Sequence, residues 1–232
     1  MKTIMIWSDF ACLFCYIGEK RLDDALADLG LTKEFNIVYR AFELNRDAPR
    51  ETDLSIVELM AKKYNLSTEE ARRRVDYIDN EGNKTGLVFR YATAKSSNTL
   101  DAHRLMKLAE DRYGAKVTKA LNDGLFEAYF TDNRRLSDHD VLMQVAVNAG
   151  IPTEEISRVL NSKHYTEQVR QDENEAERLG IRGVPFFLID NKIAIPGAYS
   201  SDDFKKVIQE VVKGEPTETM NGATCDENGC RL

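Results

Sequence analysis

"SDFACLFCYIGEKRL", residues 8–22, holds two cysteines, Cys12 and Cys15, at the point where an apolar run stops and a helical pattern begins. The run before it, "TIMIWS" (3–8), has the length of a strand. After it, Phe14, Ile17, Leu22, Ala25, Leu26 and Leu29 recur at mostly helical spacing over 13–29, and Gly30 stops the helix. "FNIVYRAFEL" (35–44) is β-branched and aromatic and reads as a second strand. The chain therefore opens β-α-β, with a Cys-x-x-Cys pair at the first strand–helix junction.

That junction suits redox chemistry. With Cys12 at the N-cap, Leu13, Phe14 and Cys15 are the first three helical residues. An N-cap side chain accepts hydrogen bonds from the second and third helical N–H groups. The expected acceptor is the Cys12 sulfur, and the donors are Phe14 and Cys15. The helix dipole also favours negative charge there. Both effects favour thiolate over thiol at Cys12, which reads as the nucleophile. Cys15, one turn into the helix and shielded, suits the resolving role: it closes the disulfide and releases the product. Two other readings compete. Cys225 and Cys230, spaced C-x4-C, would complete a four-cysteine zinc site, and a structural bridge is a third use of the pair. A C-x-x-C that follows a strand and opens a helix is the redox context, so the expectation is a dithiol centre with no metal and no organic cofactor.

Beyond residue 53 the pattern changes to successive helices: 54–64, 68–80, 99–113, 115–130, 137–149, 153–161 and 165–179. Ser67 with Glu70 forms a capping-box signature, and Ser137 precedes Asp138 and Asp140. Gly150 and Gly180 end helices. Residues 81–98 read as a loop with an extended piece. Strands return in "PFFLID" (185–190) and "KIAIPG" (192–197), which flank an Asp190-Asn191 turn and read as a hairpin. Ser200, with Asp203 at the box position, caps a last helix. The organisation is β-α-β, a helical block, then β-β-α. Residues 1–53 and 181–213 make one discontinuous domain, 54–180 an inserted helical domain, and 214–232 a polar tail.

The chain has 232 residues, 42% hydrophobic and 31% charged, with a net charge of −7. That balance supplies no basic block to neutralise phosphates, so nucleic acid is not an expected partner. No run of about 18 apolar residues exists to span a membrane. "MKTIMIWSDF" lacks a signal-peptide cleavage site, so the expected location is cytoplasmic. In that compartment paired cysteines are more often catalytic, redox-sensing or metal-binding than structural.

"SDFACLFCYIGEKRL" at the front, "NTLDAHRL" (98–105) in the helical block and "GIRGVPFF" (180–187) near the end resemble the DsbA-like family of thioredoxin-fold oxidoreductases, and within it the FrnE-type cytoplasmic branch. The resemblance covers about residues 1–213. It implies a thioredoxin fold with an inserted all-helical domain, and a cis peptide before Pro185, opposite the cysteine pair. It implies a thiol–disulfide oxidoreductase or isomerase acting on protein disulfides. Partners would be protein thiols and disulfides, with glutathione or a thioredoxin-like donor as electron source. Val184 and Pro185 would shape the substrate groove beside Cys12. The family usually carries proline where this chain has Leu13, which leaves the strength of the oxidant open. Two rivals share the fold or the groove. One is an enzyme like the kappa-class glutathione transferases and 2-hydroxychromene-2-carboxylate isomerases, which use serine at the first cysteine. The other is a non-redox holdase chaperone.

Further residues complete the candidate site. Phe14, between the cysteines, is the aromatic expected to face substrate, while Trp7, Phe10, Phe186 and Phe187 read mostly as core. Asp9 is either a loop acceptor or a tuner of Cys12, and His103 either a packed core histidine or a tuner. Asp226 and Glu227 beside Cys225 should raise the tail thiols by like-charge repulsion, so a tail disulfide should be hard to reduce. A loop that short contributes only about 2 kcal/mol as a staple. The tail pair therefore reads as an electron donor to Cys12–Cys15, or as a passive tail.

Overall fold

The computed structural model describes residues 1–214, Thr224–Asp226 and Gly229–Arg231. Its central strand, β1 (Lys2–Ser8), buries Ile4, Ile6, Trp7 and Ser8. A strand this apolar on both faces belongs inside a sheet. On one side β1 pairs in parallel with β2 (Phe35–Ala41), with Ile4 opposite Ile37 and Ser8 opposite Ala41. A parallel pair needs a crossover, and α1 (Leu13–Asp28) supplies it. On the other side β1 runs antiparallel to β3 (Phe186–Ile189), which pairs with β4 (Ile193–Pro196). The order is β2-β1-β3-β4. The β3–β4 turn puts Asp190 and Asn191 at φ of 53° and 54°. Two consecutive left-handed residues match the twist of a tight hairpin, and Asp and Asn tolerate that region.

After the hairpin, Ser200 caps α9 (Ser201–Lys213) by accepting the Asp203 N–H at 3.2 Å. Phe204, Val207, Ile208 and Val211 form its buried stripe. Phe204 stands edge-on to Phe187 of β3 with ring centroids 5.0 Å apart, and α9 packs beside α1. This is a thioredoxin fold, β-α-β joined to β-β-α, with a helical subdomain inserted between the halves.

Two compact units result: Met1–Leu44 with the chain from Arg170 onward, and Asn45–Val169. In the first, the incoming half of α8 (Thr166–Arg178) is fastened by buried carboxylates. Asp172 accepts Arg40 at 3.0 Å and the Ala41 N–H at 3.0 Å, and its carbonyl takes the Trp7 indole N–H at 3.1 Å. Glu173 accepts the Glu43 N–H at 3.2 Å and Arg170 at 2.7 Å. These bonds explain why β2 stops at Ala41 and not at residue 44. The N–H groups of Glu43 and Leu44 go to the carboxylates of Glu173 and Asp9, not to a strand ladder.

The second unit contains α2 (Ile56–Tyr64), α3 (Thr68–Asn83), α4 (Leu100–Arg112), α5 (Gly114–Phe130), α6 (His139–Asn148), α7 (Thr153–Leu160) and the start of α8. Ser55 with Glu58 and Ser67 with Glu70 form complete capping boxes. The serine hydroxyls and N–H groups hold both glutamates below the usual carboxylate range. Three local expectations are corrected. The N-cap of α6 is Asp138, which accepts the Asp140 N–H at 2.9 Å, because the Ser137 hydroxyl is engaged by the Arg50 carbonyl. Helix α3 runs to Asn83 rather than 80. The 81–98 segment forms a 3-10 turn, Tyr91–Thr93, in place of an extended piece, since the Asp79 carboxylate draws in the Tyr91 N–H at 2.8 Å.

The "NTLDAHRL" segment works inside this unit. The Asn98 carbonyl oxygen accepts the Leu100 N–H at 2.9 Å, and its amide donates to the Ala48 carbonyl at 3.3 Å. Buried Arg104 donates to Asp101 at 2.7 Å and to the carbonyls of Val159, Ser162 and His164. Its guanidinium thereby binds one carbonyl in the last turn of α7, Val159, and two in the loop that follows, Ser162 and His164.

Candidate active site

The site is built from the β1–α1 junction upward. Asp9 is buried, and its two carboxylate oxygens accept the N–H groups of Ala11 at 3.2 Å and Leu44 at 2.7 Å. Its carbonyl accepts the Cys12 N–H at 2.9 Å. The turn that presents Cys12 is thus fixed by one residue, and the Asp9 carboxylate serves the loop.

Cys12 is the N-cap of α1, with φ −96° and ψ 109°, and its carbonyl accepts the Cys15 N–H at 3.1 Å. The sulfur makes no capping hydrogen bond, contrary to the sequence expectation. It turns instead to the Val184 carbonyl, 3.6 Å away, to which the thiol donates. An S–H group is a weak donor, and this carbonyl accepts it. Val184 precedes Pro185 through a cis peptide. The Pro185 carbonyl in turn accepts the Gly197 N–H at 2.8 Å, which ties this loop to the end of β4.

Gly18 lets α1 come this close. A Cβ there would lie 3.2 Å from both Pro185 Cγ and Phe187 Cζ, and 3.3 Å from Ala198 Cβ. A glycine inside a helix costs about 0.5–1 kcal/mol relative to alanine. The close approach of helix to proline loop is what that cost secures.

Cys15 is fully buried, and both motif cysteines are free thiols. Burial pushes the Cys15 thiol well above its ordinary range, and the Cys12 sulfur adds to this as hydrogen-bond partner and as charge. The Asp9 backbone and the Ser8 hydroxyl pull the other way without reversing it. Cys15 therefore keeps its proton at neutral pH, as a thiol held in reserve would. Cys12 is only 1% exposed and Phe14 4%, so as placed Phe14 packs and presents no open face. Trp7 stands edge-on to Phe186 at 6.1 Å, and Phe10 and Phe187 are buried.

Two residues at this junction escaped the sequence reading. The Ser8 hydroxyl donates to the carboxylate of buried Glu19 at 2.7 Å. The available signal was spacing: Glu19 lies four residues after Cys15, on the stripe continued by Leu22 and Leu26, where an acid is out of place.

The DSBA-like thioredoxin domain family matches residues 3–209. The chain belongs to that family. Its function is accordingly of thiol–disulfide oxidoreductase type. The crystal structure of a probable DsbA oxidoreductase from Streptomyces coelicolor is 31% identical, with a TM-score of 0.86 over 100% of this chain and 99% of that one. The uncharacterized protein YwbO of Bacillus subtilis is 26% identical over 217 residues, 90% of this chain and 97% of the relative. A 2-hydroxychromene-2-carboxylate isomerase, 18% identical with a TM-score of 0.63 over 91% of this chain and 94% of that one, shares the fold.

The remaining members of this DsbA-like chain's candidate set lie elsewhere. His103 is buried on α4 of the helical unit. In the tail, the backbones of β5 (Thr224–Asp226) and β6 (Gly229–Arg231) pair antiparallel, with Cys225 opposite Cys230. Glu227 and the chemistry expected of the tail sulfurs lie outside the described residues. Among the described residues no group of three or more His, Cys, Asp or Glu could hold a metal ion, and no helix is long and apolar enough to cross a membrane.

Proposed function

We propose that the protein exchanges disulfides with protein substrates through Cys12 and Cys15, as a cytoplasmic enzyme of the FrnE-type branch. The reading is carried by one arrangement: a free thiol at a helix N-cap, beside the Val184–Pro185 loop, backed by a buried thiol that keeps its proton. The Cys12 thiolate attacks one sulfur of a substrate disulfide and expels the other as thiolate, giving a mixed disulfide. Cys15 then loses its proton and attacks the Cys12 sulfur. The Cys12–Cys15 bond forms, and the second substrate sulfur leaves as thiolate and takes a proton from water. Two electrons pass from dithiol to substrate, and the reverse sequence oxidises a substrate dithiol. The redox centre is the chain's own, so no organic cofactor enters the cycle.

Val184 and Pro185 flank the path of an incoming segment in this reading, and Phe14, packed as it is, would have to turn outward to join them. Cys225 and Cys230 serve as an accessory pair that passes electrons to the oxidised centre, a reading supported by their direct opposition across β5 and β6. Glutathione or a thioredoxin-like protein would return electrons to either pair. The test is equilibration of a variant with Cys225 and Cys230 replaced by serine against glutathione buffers of stepped ratio. The expected result is one reversible two-electron couple, lost in Cys12→Ser. A protein with no reversible couple, or one that keeps glutathione-dependent isomerase activity after Cys12→Ser, would overturn the proposal.

A further inference from the structure

We infer that the outer edge of β2 is a dimer interface, on which a second copy of this chain lays its own β2 antiparallel, centred on Ile37. β2 is the end strand of the sheet, and among the described residues no strand pairs with it on the side away from β1. Bonds at its two ends fix which way its backbone groups point. The Glu34 carbonyl accepts the Lys2 N–H at 3.0 Å, and the Phe42 N–H goes to the Ser8 carbonyl at 3.1 Å. Successive residues of a strand turn their N–H and C=O groups to opposite sides. Asn36, Val38 and Arg40 therefore face β1, and Phe35, Ile37 and Tyr39 face outward. Farther along the outward row the groups are taken: the Ala41 N–H by Asp172 at 3.0 Å and the Glu43 N–H by Glu173 at 3.2 Å. The stretch "FNIVY" (35–39) carries neither the charge nor the proline that usually guards an edge. The opposite edge is guarded, because β4 is only four residues long and ends in Pro196.

A second copy fits this edge because the strand is complementary to itself. With Ile37 at the centre, it meets the partner's Ile37 and exchanges two N–H···O=C bonds with it. Phe35 lies opposite the partner's Tyr39, Asn36 opposite the partner's Val38, and Glu34 opposite the partner's Arg40. The last pairing joins opposite charges and occurs twice, once on each side of the two-fold axis. Glu34 is exposed, and Arg40, though bonded to Asp172 at 3.0 Å, keeps 30% of its side chain exposed. A guanidinium has five donors, enough for both carboxylates. Centring on Phe35 or Tyr39 would also put outward-facing groups in pairs, but it leaves both charges unmatched. Ile37 and Val38 are half-buried, so apolar surface remains for the partner to cover. The pairing joins two four-stranded sheets into one of eight strands. Because β1 runs parallel to β2, the two Cys12 junctions come to opposite ends of the joined sheet, and each subunit keeps its own dithiol. A strand pair this short buries little area, so the dimer should be reversible in the micromolar range.

The experiment is sedimentation equilibrium of the full chain under reducing conditions, with Cys225 and Cys230 replaced by serine, over concentrations from nanomolar to submillimolar. The expected result is a reversible monomer–dimer equilibrium that weakens as salt is raised. Glu34→Lys sets like charges opposite each other twice and should raise the dissociation constant about tenfold or more. Asn36→Val puts a β-branched side chain opposite the partner's Val38 and should lower that constant several-fold, a gain in reversible dimer that misfolding does not produce. Register is read by oxidative crosslinking of the full chain with its native cysteines replaced by serine. Ile37→Cys should give a disulfide-linked dimer, since facing residues of a hydrogen-bonded pair have Cα atoms about 5.5 Å apart, within disulfide reach. Asn36→Cys should not, because its copy lies on the diagonal, beyond that reach. A monomer at every concentration, a dimer indifferent to Glu34→Lys and Asn36→Val, or equal crosslinking at both positions would overturn the interface.

Discussion

At the residue scale, the site is organised by where protons sit. Burial holds the proton on Cys15, and the folded thiol ionises at higher pH than the thiol of an unfolded chain, about 8.5. In that window the unfolded state has fewer bound protons than the folded one, so stability falls as pH rises. The contribution is complete below about pH 8.5 and is lost as pH climbs through the folded value. Urea midpoints of the reduced protein from pH 7 to 10 should therefore decline more steeply than those of Cys15→Ala. Parallel curves would mean that Cys15 ionises as freely in the folded state as in the unfolded. The residue scale is also where the sequence misled. Position put Cys12 at the N-cap, which the structure has, but the sulfur faces Val184, 172 residues away in the chain. No local pattern encodes so distant a partner. Glu19 had a readable signal, an acid on an apolar stripe, while its partner Ser8 had none.

At the element scale, starts and stops were legible because they are local. Ser67 and Ser200 cap where their side chains predict, and the Asp190-Asn191 turn takes the left-handed geometry its residues favour. The ends that shifted, β2 at Ala41 and α6 at Asp138, shifted because a distant group, a carboxylate for β2 and the Arg50 carbonyl for α6, took the N–H or hydroxyl that decided them. Helix α9 is the clearest case of an element fixed by its stripe. Phe204 is fully buried against Phe187 and Tyr199, with ring centroids 5.0 and 5.8 Å away. Phe204→Ala should cost about 3–5 kcal/mol in urea unfolding, through lost transfer energy and the cavity left behind. A loss under about 1 kcal/mol would show that the α9–sheet contact carries little of the stability.

At the scale of the whole molecule, the discontinuous thioredoxin unit depends on the chain's return. The β-α-β opening and β-β-α ending were legible from periodicity, but the fastening was not. It rests on Asp172 and Glu173 in a strongly polar helix whose composition reads as solvent-exposed. Asp172→Ala removes the acceptor of the buried Ala41 N–H and the partner of Arg40. It should destabilise the fold by roughly 2–3 kcal/mol, the cost of stranding buried donors. An unchanged urea midpoint would mean that water or Glu175, 3.6 Å from Arg40, takes over. The exchange mechanism can be tested on the intact chain with its tail cysteines replaced by serine. The most direct measurement is trapping with a disulfide-bonded protein substrate, resolved on non-reducing gels. The account predicts a long-lived mixed disulfide in Cys15→Ser, linked through Cys12, and none in Cys12→Ser. A mixed disulfide that persists in Cys12→Ser, or none in Cys15→Ser, would contradict the assignment of attacking and resolving thiols.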